Sequence, residues 1–316
     1  MRESPPRNAL ILFMVFMLGI IFLLFFNFNK SPSLLTDNIL NFGHVPLFMV
    51  VAAMALWTLD WENWPMTTTI NYIRAWFIVI AIAILTEGLQ QFTSERSFEL
   101  VDIFNDLIGA SVFLVISYQY RRELKKRIRV LLCSAAFFSL LISCLPVIEA
   151  AIDEMRARKD FPLLASFETR WEMKRWKPGE GLFMRVPMHA KSGSHSLKVI
   201  LSPGLYPGVT MDHPPRDWRG YNTLTFNAFL EGLDPLPITV RINDLRHNKE
   251  YEDRYNRTYT LQPGPNHLTI DLFVVEHAPK GRLMDMKNIS NLCIFSYKLQ
   301  NHRTVYFDNF RLEKND

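Results

Sequence analysis

Cysteine is scarce: Cys133 and Cys144 lie in an apolar run and Cys293 sits far away. Three such residues supply neither a disulfide framework nor zinc-ligand spacing, and each reads as a small buried hydrophobe. A surplus of one charge sign is also lacking, with 35 Lys and Arg against 31 Asp and Glu, a net charge of +4. That is too small and too dispersed for the basic face a nucleic-acid partner requires. With 49% hydrophobic residues over 316 positions, the chain falls outside the collagenous and disordered classes.

The charges are unevenly spread. Residues 1–149 hold eleven basic and eleven acidic side chains, and residues 150–316 hold the remaining 24 and 20. No charged residue occurs from Asn8 to Phe28, and a helix of about 21 residues matches the hydrocarbon thickness of a bilayer. The run is longer than a signal-peptide core and has no small-residue cleavage site, so it reads as a retained span. Further spans are expected over residues 42–59, 70–89, 98–118 and 130–150, giving an all-α membrane bundle of about five helices. Trp57, Trp61, Trp64 and Trp76 cluster around the second connection, where indole rings favour the membrane-water boundary.

Six basic residues, Arg121, Arg122, Lys125, Lys126, Arg127 and Arg129, lie between the fourth and fifth spans. Lys and Arg near a span are retained in the cytoplasm. This loop and the N-terminus, with Arg2 and Arg7, are therefore expected inside, and everything after the fifth span outside: a multi-pass protein of the cytoplasmic (inner) membrane with a periplasmic or extracellular C-terminal domain. The same basic block suits anionic membrane lipid as a partner.

Polar residues interrupt the third and fourth helices. Glu87 precedes Gln90 and Gln91 by three and four residues, and Asp102, Asp106 and Gly109 share a face of the next helix. An acid at mid-bilayer costs on the order of 3 kcal/mol, so these groups must be paired, wet or neutral. Arg96 is the expected partner, and Gly109 is expected to permit close helix approach. The pattern suits either a structural polar clamp or an outward-facing pocket for a lipid-linked ligand. An acid-base pair of Glu87 and Asp102 is a third use, but no nucleophile, metal-ligand cluster or phosphate loop accompanies it.

Over about residues 37–119 the sequence resembles the VanZ-like family of membrane proteins. The matching residues are His44, then Glu87, Gln90, Phe92, Arg96, Asp102 and Gly109 in the order E-x-x-Q-x-F-x-x-x-R, D and G. The family usually has Asn four residues after the Asp; here that position is Asp106, with Asn105 displaced by one. The resemblance implies a cell-envelope setting and an association with low-level glycopeptide resistance, without a settled reaction. His44, taken alone, reads as a helix-end histidine.

Beyond Ala150 a charged stretch extends the last helix until Pro162 breaks it. Period-two alternation then appears in Leu197, Val199, Leu201; Leu224, Phe226, Ala228; Ile238, Val240, Ile242; and Leu268, Ile270, Leu272. Turn signals at residues 191–194, Pro203-Gly204, Pro207-Gly208 and Pro263-Gly264 separate these strands and predict an antiparallel sandwich. The expected division is a transmembrane domain over 1–150, a stalk over 151–164 and an all-β domain over 165–316.

The last part resembles the galactose-binding-like jelly rolls, especially carbohydrate-binding modules. The fragments that carry the likeness are SFE at 166–168, GSHSLKV at 193–199, DWRGY at 217–221, VRIND at 240–244, YEDRYN at 251–256, LQPGPN at 261–266 and VYFDNFRL at 305–312. The resemblance implies a polysaccharide or other glycan partner. Sugar recognition needs flat aromatic faces and planar hydrogen-bonding side chains. Alternation turns Thr225, Asn227, Phe229, Thr239, Arg241 and Asn243 away from the core, and these are expected to form one polar face. Asp244, Asp253, Arg254 and Tyr255 extend it, and Trp218 and Tyr221 border it. The resemblance further implies a structural calcium ion held by Glu168 and Asp308, with carbonyls of the 191–196 turn.

The sequence thus points to an envelope protein that holds a saccharide-binding domain outside the membrane, with no catalysis required. Two other readings stand beside it: an enzyme or transporter working on a lipid-linked precursor through Glu87, Arg96 and Asp102, and an assembly protein whose β domain contacts another protein. No particular protein partner is indicated.

Overall fold

The computed structural model describes Met14, Val15, Gly19 and residues 33–60, 67–90 and 100–314. It divides into two units, one helical and ending at Ile148, the other made of Glu149 onward together with residues 32–34 and built mainly of strands. The helices are α1 (Leu34–Phe42), α2 (His44–Leu59), α3 (Thr69–Gln90), α4 (Leu100–Arg121) and α5 (Lys126–Asp160). Four stretches, Leu34–Leu59, Thr69–Leu89, Leu100–Arg121 and Lys126–Asp160, are long and apolar enough to cross a membrane. They contain or closely overlap the four later spans expected from sequence. The expected span over 8–28 lies outside the described residues apart from three positions, as do Trp61, Trp64 and Arg96.

Small side chains set the spacing of the helical unit. Ala52 and Ala55 of α2, Ala75 and Ala83 of α3 and Ala110 of α4 are buried with Phe48, Leu56 and Tyr72, as in membrane bundles where packing rather than hydrophobicity drives association. At Gly109 a Cβ would stand 2.1 Å from the Val45 carbonyl oxygen, so only glycine lets α4 lie this close to α2. Arg121 and Arg122, at the end of α4, donate to the Thr67 hydroxyl and carbonyl just before α3. The basic end of α4 and the start of α3 therefore share one end of the bundle.

The second unit carries eleven strands: β1 (Leu163–Ala165), β2 (Trp176–Pro178), β3 (Gly181–Val186), β4 (Ser196–Leu201), β5 (Gly208–Met211), β6 (Thr223–Leu230), β7 (Leu236–Asp244), β8 (Tyr255–Leu261), β9 (Gly264–Asp271), β10 (Ile289–Phe295) and β11 (Arg303–Glu313). One sheet runs β3-β4-β11-β6-β9 with β1 on β11, and the other runs β2-β5-β10-β7-β8. All pairs are antiparallel. The alternating residues of β4, β6, β7 and β9 enter a common core between the sheets. Phe167, Trp176, Phe226 and Phe310 form its aromatic centre, with successive ring centroids 4.8–5.5 Å apart.

The strands β6 and β7 are consecutive in sequence yet belong to different sheets. This corrects the expected single polar face. Asn227 and Phe229 face out of one sheet and Thr239 and Arg241 out of the other, while Thr225 and Asn243 are buried. Alternation distinguishes core from solvent, not one sheet from its opposite.

The stretch expected as a stalk is helical through Asp160, with β1 starting at Leu163. The end of α5 belongs to the second unit. There Asp153 pairs with Arg175 Nε at 3.0 Å, both side chains 5% exposed, and Arg156 lies over the Trp171 ring.

Candidate functional site

Each unit carries a concentration of polar side chains. In the helical unit, His44 opens α2 and faces two carboxylates one turn apart on α4. Its Nδ1 is 2.8 Å from Asp106 Oδ1 and its Nε2 is 3.9 Å from Asp102 Oδ2. Glu87, near the end of α3, is buried and close enough to act electrostatically on Asp106. Asn105 donates to the Asn41 carbonyl and accepts from the Ser143 hydroxyl. Asp106 and Asn105 thus hold separate partners on different helices. The structure brings His44, Glu87, Asp102 and Asp106 together; the side chain of Gln90 and the whole of Arg96 lie outside the described residues. With Gly109 one turn on, the arrangement ties α2 to α4.

The residues predicted for the sandwich divide sharply. Trp218 is fully buried, and its indole N–H donates to the Pro215 carbonyl at 2.7 Å. A ring without exposed face cannot stack on a sugar, so Trp218 is a core residue. Tyr221 packs edge-on against Phe161. Tyr255 is buried with its hydroxyl 2.8 Å from that of Tyr259. Asn227 belongs to the first sheet, where its Oδ1 meets the His267 ring. On that same face His189 stacks on Phe229 at 3.7 Å and the Tyr306 hydroxyl donates to Glu231.

Asp244 and Asp253 were read as sugar contacts; they are instead held by Arg282, which sequence reasoning missed. Arg282 donates two bonds to Asp244 (2.6 and 2.9 Å) and one to Asp253 (2.6 Å). Asp244 also accepts from the backbone of Asp285 and Arg246, and Asp253 from that of Asn248. Hydrogen bonding to Arg282 holds the Asp253 carboxyl down at about 2. Burial opposes ionisation of Asp244, but Arg282 and the backbone donors outweigh it and keep its pKa low. Asn243 is buried beside this clamp. Asp244 and Asp253 are therefore already engaged.

Glu168 and Asp308 do converge on the turn over residues 191–195, yet with the wrong chemistry for calcium. The turn offers N–H groups: Lys191 and Ser192 donate to Asp308 Oδ2, Asn309 to its Oδ1, and Ser194 and His195 to Glu168 Oε1. The Ser194 hydroxyl takes Glu168 Oε2. Calcium needs six to eight oxygen ligands, and here each carboxylate oxygen accepts a hydrogen bond where the resemblance implied carbonyl oxygens. The donor set does not fit that ion; it fits two acids capping a tight turn. Gly193, with φ +71°, permits the turn because a Cβ would stand 2.5 Å from the Glu168 carboxyl.

The outer face of the second sheet is different. Cross-strand pairing aligns Lys177, Thr210, Cys293, Arg241 and Asn256 across five strands. Above this row lies a cleft of about 350 Å³ lined by Tyr206, Thr210, Arg241, Arg254, Cys293 and Phe295, among others, within the size range of small-molecule sites. Tyr206 is 52% and Tyr297 55% exposed, with ring centroids 5.5 Å apart, and Tyr206 meets Phe295 at 5.6 Å. Arg241 lies over the Phe295 ring and Arg254 over the ring of Tyr251. Three buried polar atoms on this side, Arg254 Nε, Asn256 Nδ2 and Asn291 Oδ1, have no hydrogen-bond partner, a condition that native structures rarely leave unexplained. Burial raises the pKa of Cys293, so it is a neutral thiol rather than a nucleophile.

Tyr206, Tyr251, Phe295 and Tyr297 were not singled out from sequence. A signal existed for two of them: Leu292 and Ile294 point inward, so Phe295 and Tyr297 continue the outward parity of β10 with large aromatic rings.

No family model and no curated protein sequence matches the chain. Solved structures similar to it include an exo-β-agarase, at 14% identity and a TM-score of 0.40, covering 49% of this chain and 25% of that one. This chain thus spans about a quarter of the agarase. A family 11 carbohydrate-binding module from Clostridium thermocellum, in complex with a β-1,3-1,4-mixed-linked tetrasaccharide, matches at 16% identity and TM-score 0.37 over 48% of this chain and 94% of that one. A solution structure of CtCBM11 matches at 18% and 0.38, covering 49% and 95%.

Proposed function

We propose that this chain is a membrane protein of the cell envelope whose jelly-roll sandwich, on the extracytoplasmic side, binds a polysaccharide through the outer face of its second sheet. The observation that carries the reading is the cleft itself. The exposed Tyr206 ring lines it with Arg241 and Arg254, Tyr297 stands beside Tyr206, Asn256 pairs with Arg241 across the sheet, and Arg254 Nε and Asn256 Nδ2 lack partners. Flat rings suit sugar C–H faces, and the open donors and acceptor suit hydroxyls. On the first sheet's outer side Asn227 pairs with His267 and Tyr306 with Glu231, which favours the second.

Membrane insertion is supported by four apolar helices and by Phe77, Leu131, Phe137 and Phe138, each more than half exposed, a surface that needs lipid or protein to cover it. Basic residues near α4 and α5 support a cytoplasmic end there, which sends the sandwich outward. The VanZ-like resemblance agrees with this compartment. Within the bundle, His44, Asp102 and Asp106 act as a polar clamp. Tethering raises the effective concentration of membrane-proximal ligand, so a weak site suffices.

The full chain in an uncharged detergent will bind a subset of a broad glycan array. Tyr206→Ala combined with Tyr297→Ala will weaken that binding at least tenfold, about 1.4 kcal/mol, without changing the melting temperature, because both rings are solvent-facing. A blank array, or unchanged affinity in the double variant, contradicts the site.

A further inference from the structure

Arg241 and Arg254 share the cleft without an acidic partner. Among the described residues neither forms an ion pair: Arg241 Nε reaches only Asn256 Oδ1, at 3.4 Å, and each guanidinium lies over an aromatic ring. Burial and the charge of Arg241 both work against the protonated form of Arg254, although a guanidinium stays charged regardless. Two like charges are thus held together in a partly desolvated cleft. The nearby acids are engaged elsewhere, Asp212 with Lys177 at 2.9 Å and Glu180 with the Tyr206 N–H at 3.3 Å.

The unfilled atoms have a direction. Asn256 Oδ1 accepts from Arg241, which leaves Asn256 Nδ2 as a donor, and Arg254 Nε is a second donor. Asn291 Oδ1 is an acceptor. A ligand for this set carries an acceptor-rich group opposite the arginines and a hydroxyl opposite Asn291. Lys298, over the Tyr297 ring, adds positive charge at the aromatic end.

Resting on the saccharide reading above, we infer that the ligand is an acidic polysaccharide, whose sugar-borne carboxylate or sulfate is bound by Arg241 and Arg254 while its ring lies against Tyr206 and Tyr297. Guanidinium forks match both oxyanions by paired charge-assisted hydrogen bonds, and the anion removes the repulsion between the two cations.

Two matched pairs of probes test this with the full chain in uncharged detergent: polygalacturonate against its methyl ester, and dextran sulfate against dextran. The acidic member of at least one pair is expected to bind ten or more times tighter than its neutral counterpart, and the pair that discriminates tells carboxylate from sulfate. Arg241→Gln and Arg254→Gln, each with an unchanged melting curve, will remove most of that preference. Lys198→Gln, on the outer side of the other sheet, will leave it intact. Equal affinity for acidic and neutral members overturns the inference, as does a preference that Lys198→Gln reduces as much as Arg254→Gln does. Binding of neutral polymers that Tyr206→Ala abolishes sinks the acidic ligand but keeps the site; no binding of any polymer, here and on the array, sinks both.

Discussion

Arg282→Ala will destabilise the sandwich by about 3 kcal/mol or more, because it leaves two buried carboxylates without their counter-charge. Asp244 has no exposed side-chain surface and Asp253 very little. For a unit of this size that corresponds to a drop of roughly 6–12 °C in melting temperature. A double-mutant cycle with Asp244→Asn will show strong coupling, since the neutral amide no longer needs the guanidinium. The clamp also has an acid signature. Asp253 titrates at about 2 in the folded chain against an ordinary 3.8, and Asp244 is lowered in the same sense. Depressed carboxyl pKa values stabilise the fold above about pH 4, and the contribution is lost as pH falls towards 2. Arg282→Ala will flatten that slope. Thermal melts at several pH values measure both effects, and a variant with parental stability and slope contradicts the assignment. Arg254 follows Asp253 directly, so loosening the clamp will also weaken saccharide binding.

The second large effect concerns the end of α5. Asp153→Ala leaves the Arg175 guanidinium buried with, among the described residues, the Leu164 carbonyl as its one remaining acceptor. Breaking such a pair costs about 3–5 kcal/mol, whereas replacing both members with apolar residues of similar volume is often neutral. Asp153→Leu with Arg175→Met is therefore expected to recover most of the loss that Asp153→Ala causes. A fragment beginning at residue 149 will likewise melt well above one beginning at 161, which lacks Asp153 entirely. Equal melting temperatures for the two fragments contradict a role for α5 in the sandwich unit.

The helices and strands were legible because hydrophobic period and length report burial locally. Leu224, Phe226, Ile238, Val240 and Ile242 lie inside, as their alternation implies. What local pattern does not carry is partnership across the chain. His44 and Asp106 meet over a separation of 62 residues; the residues flanking the histidine gave no sign of the acids it faces, and the VanZ-like resemblance alone grouped it with them. Arg282 sits in a connection with no periodicity, so the clamp that removes Asp244 and Asp253 from the expected sugar face was invisible. Alternation also could not say that Asn227 and Arg241 lie on opposite sides of the sandwich. Trp218 drew attention as an aromatic near a strand, but aromatic rings serve cores as readily as surfaces, and only its burial distinguishes the two uses.

The most direct test of the saccharide face is hydroxyl-radical footprinting of the full chain with and without a polysaccharide it retains. Tyr206, Tyr251 and Tyr297 are expected to lose reactivity on binding, while Phe229 and His189 on the other sheet keep theirs. Protection of Phe229 and His189 with the three tyrosines unchanged would place the ligand on the opposite side of the sandwich and contradict the account.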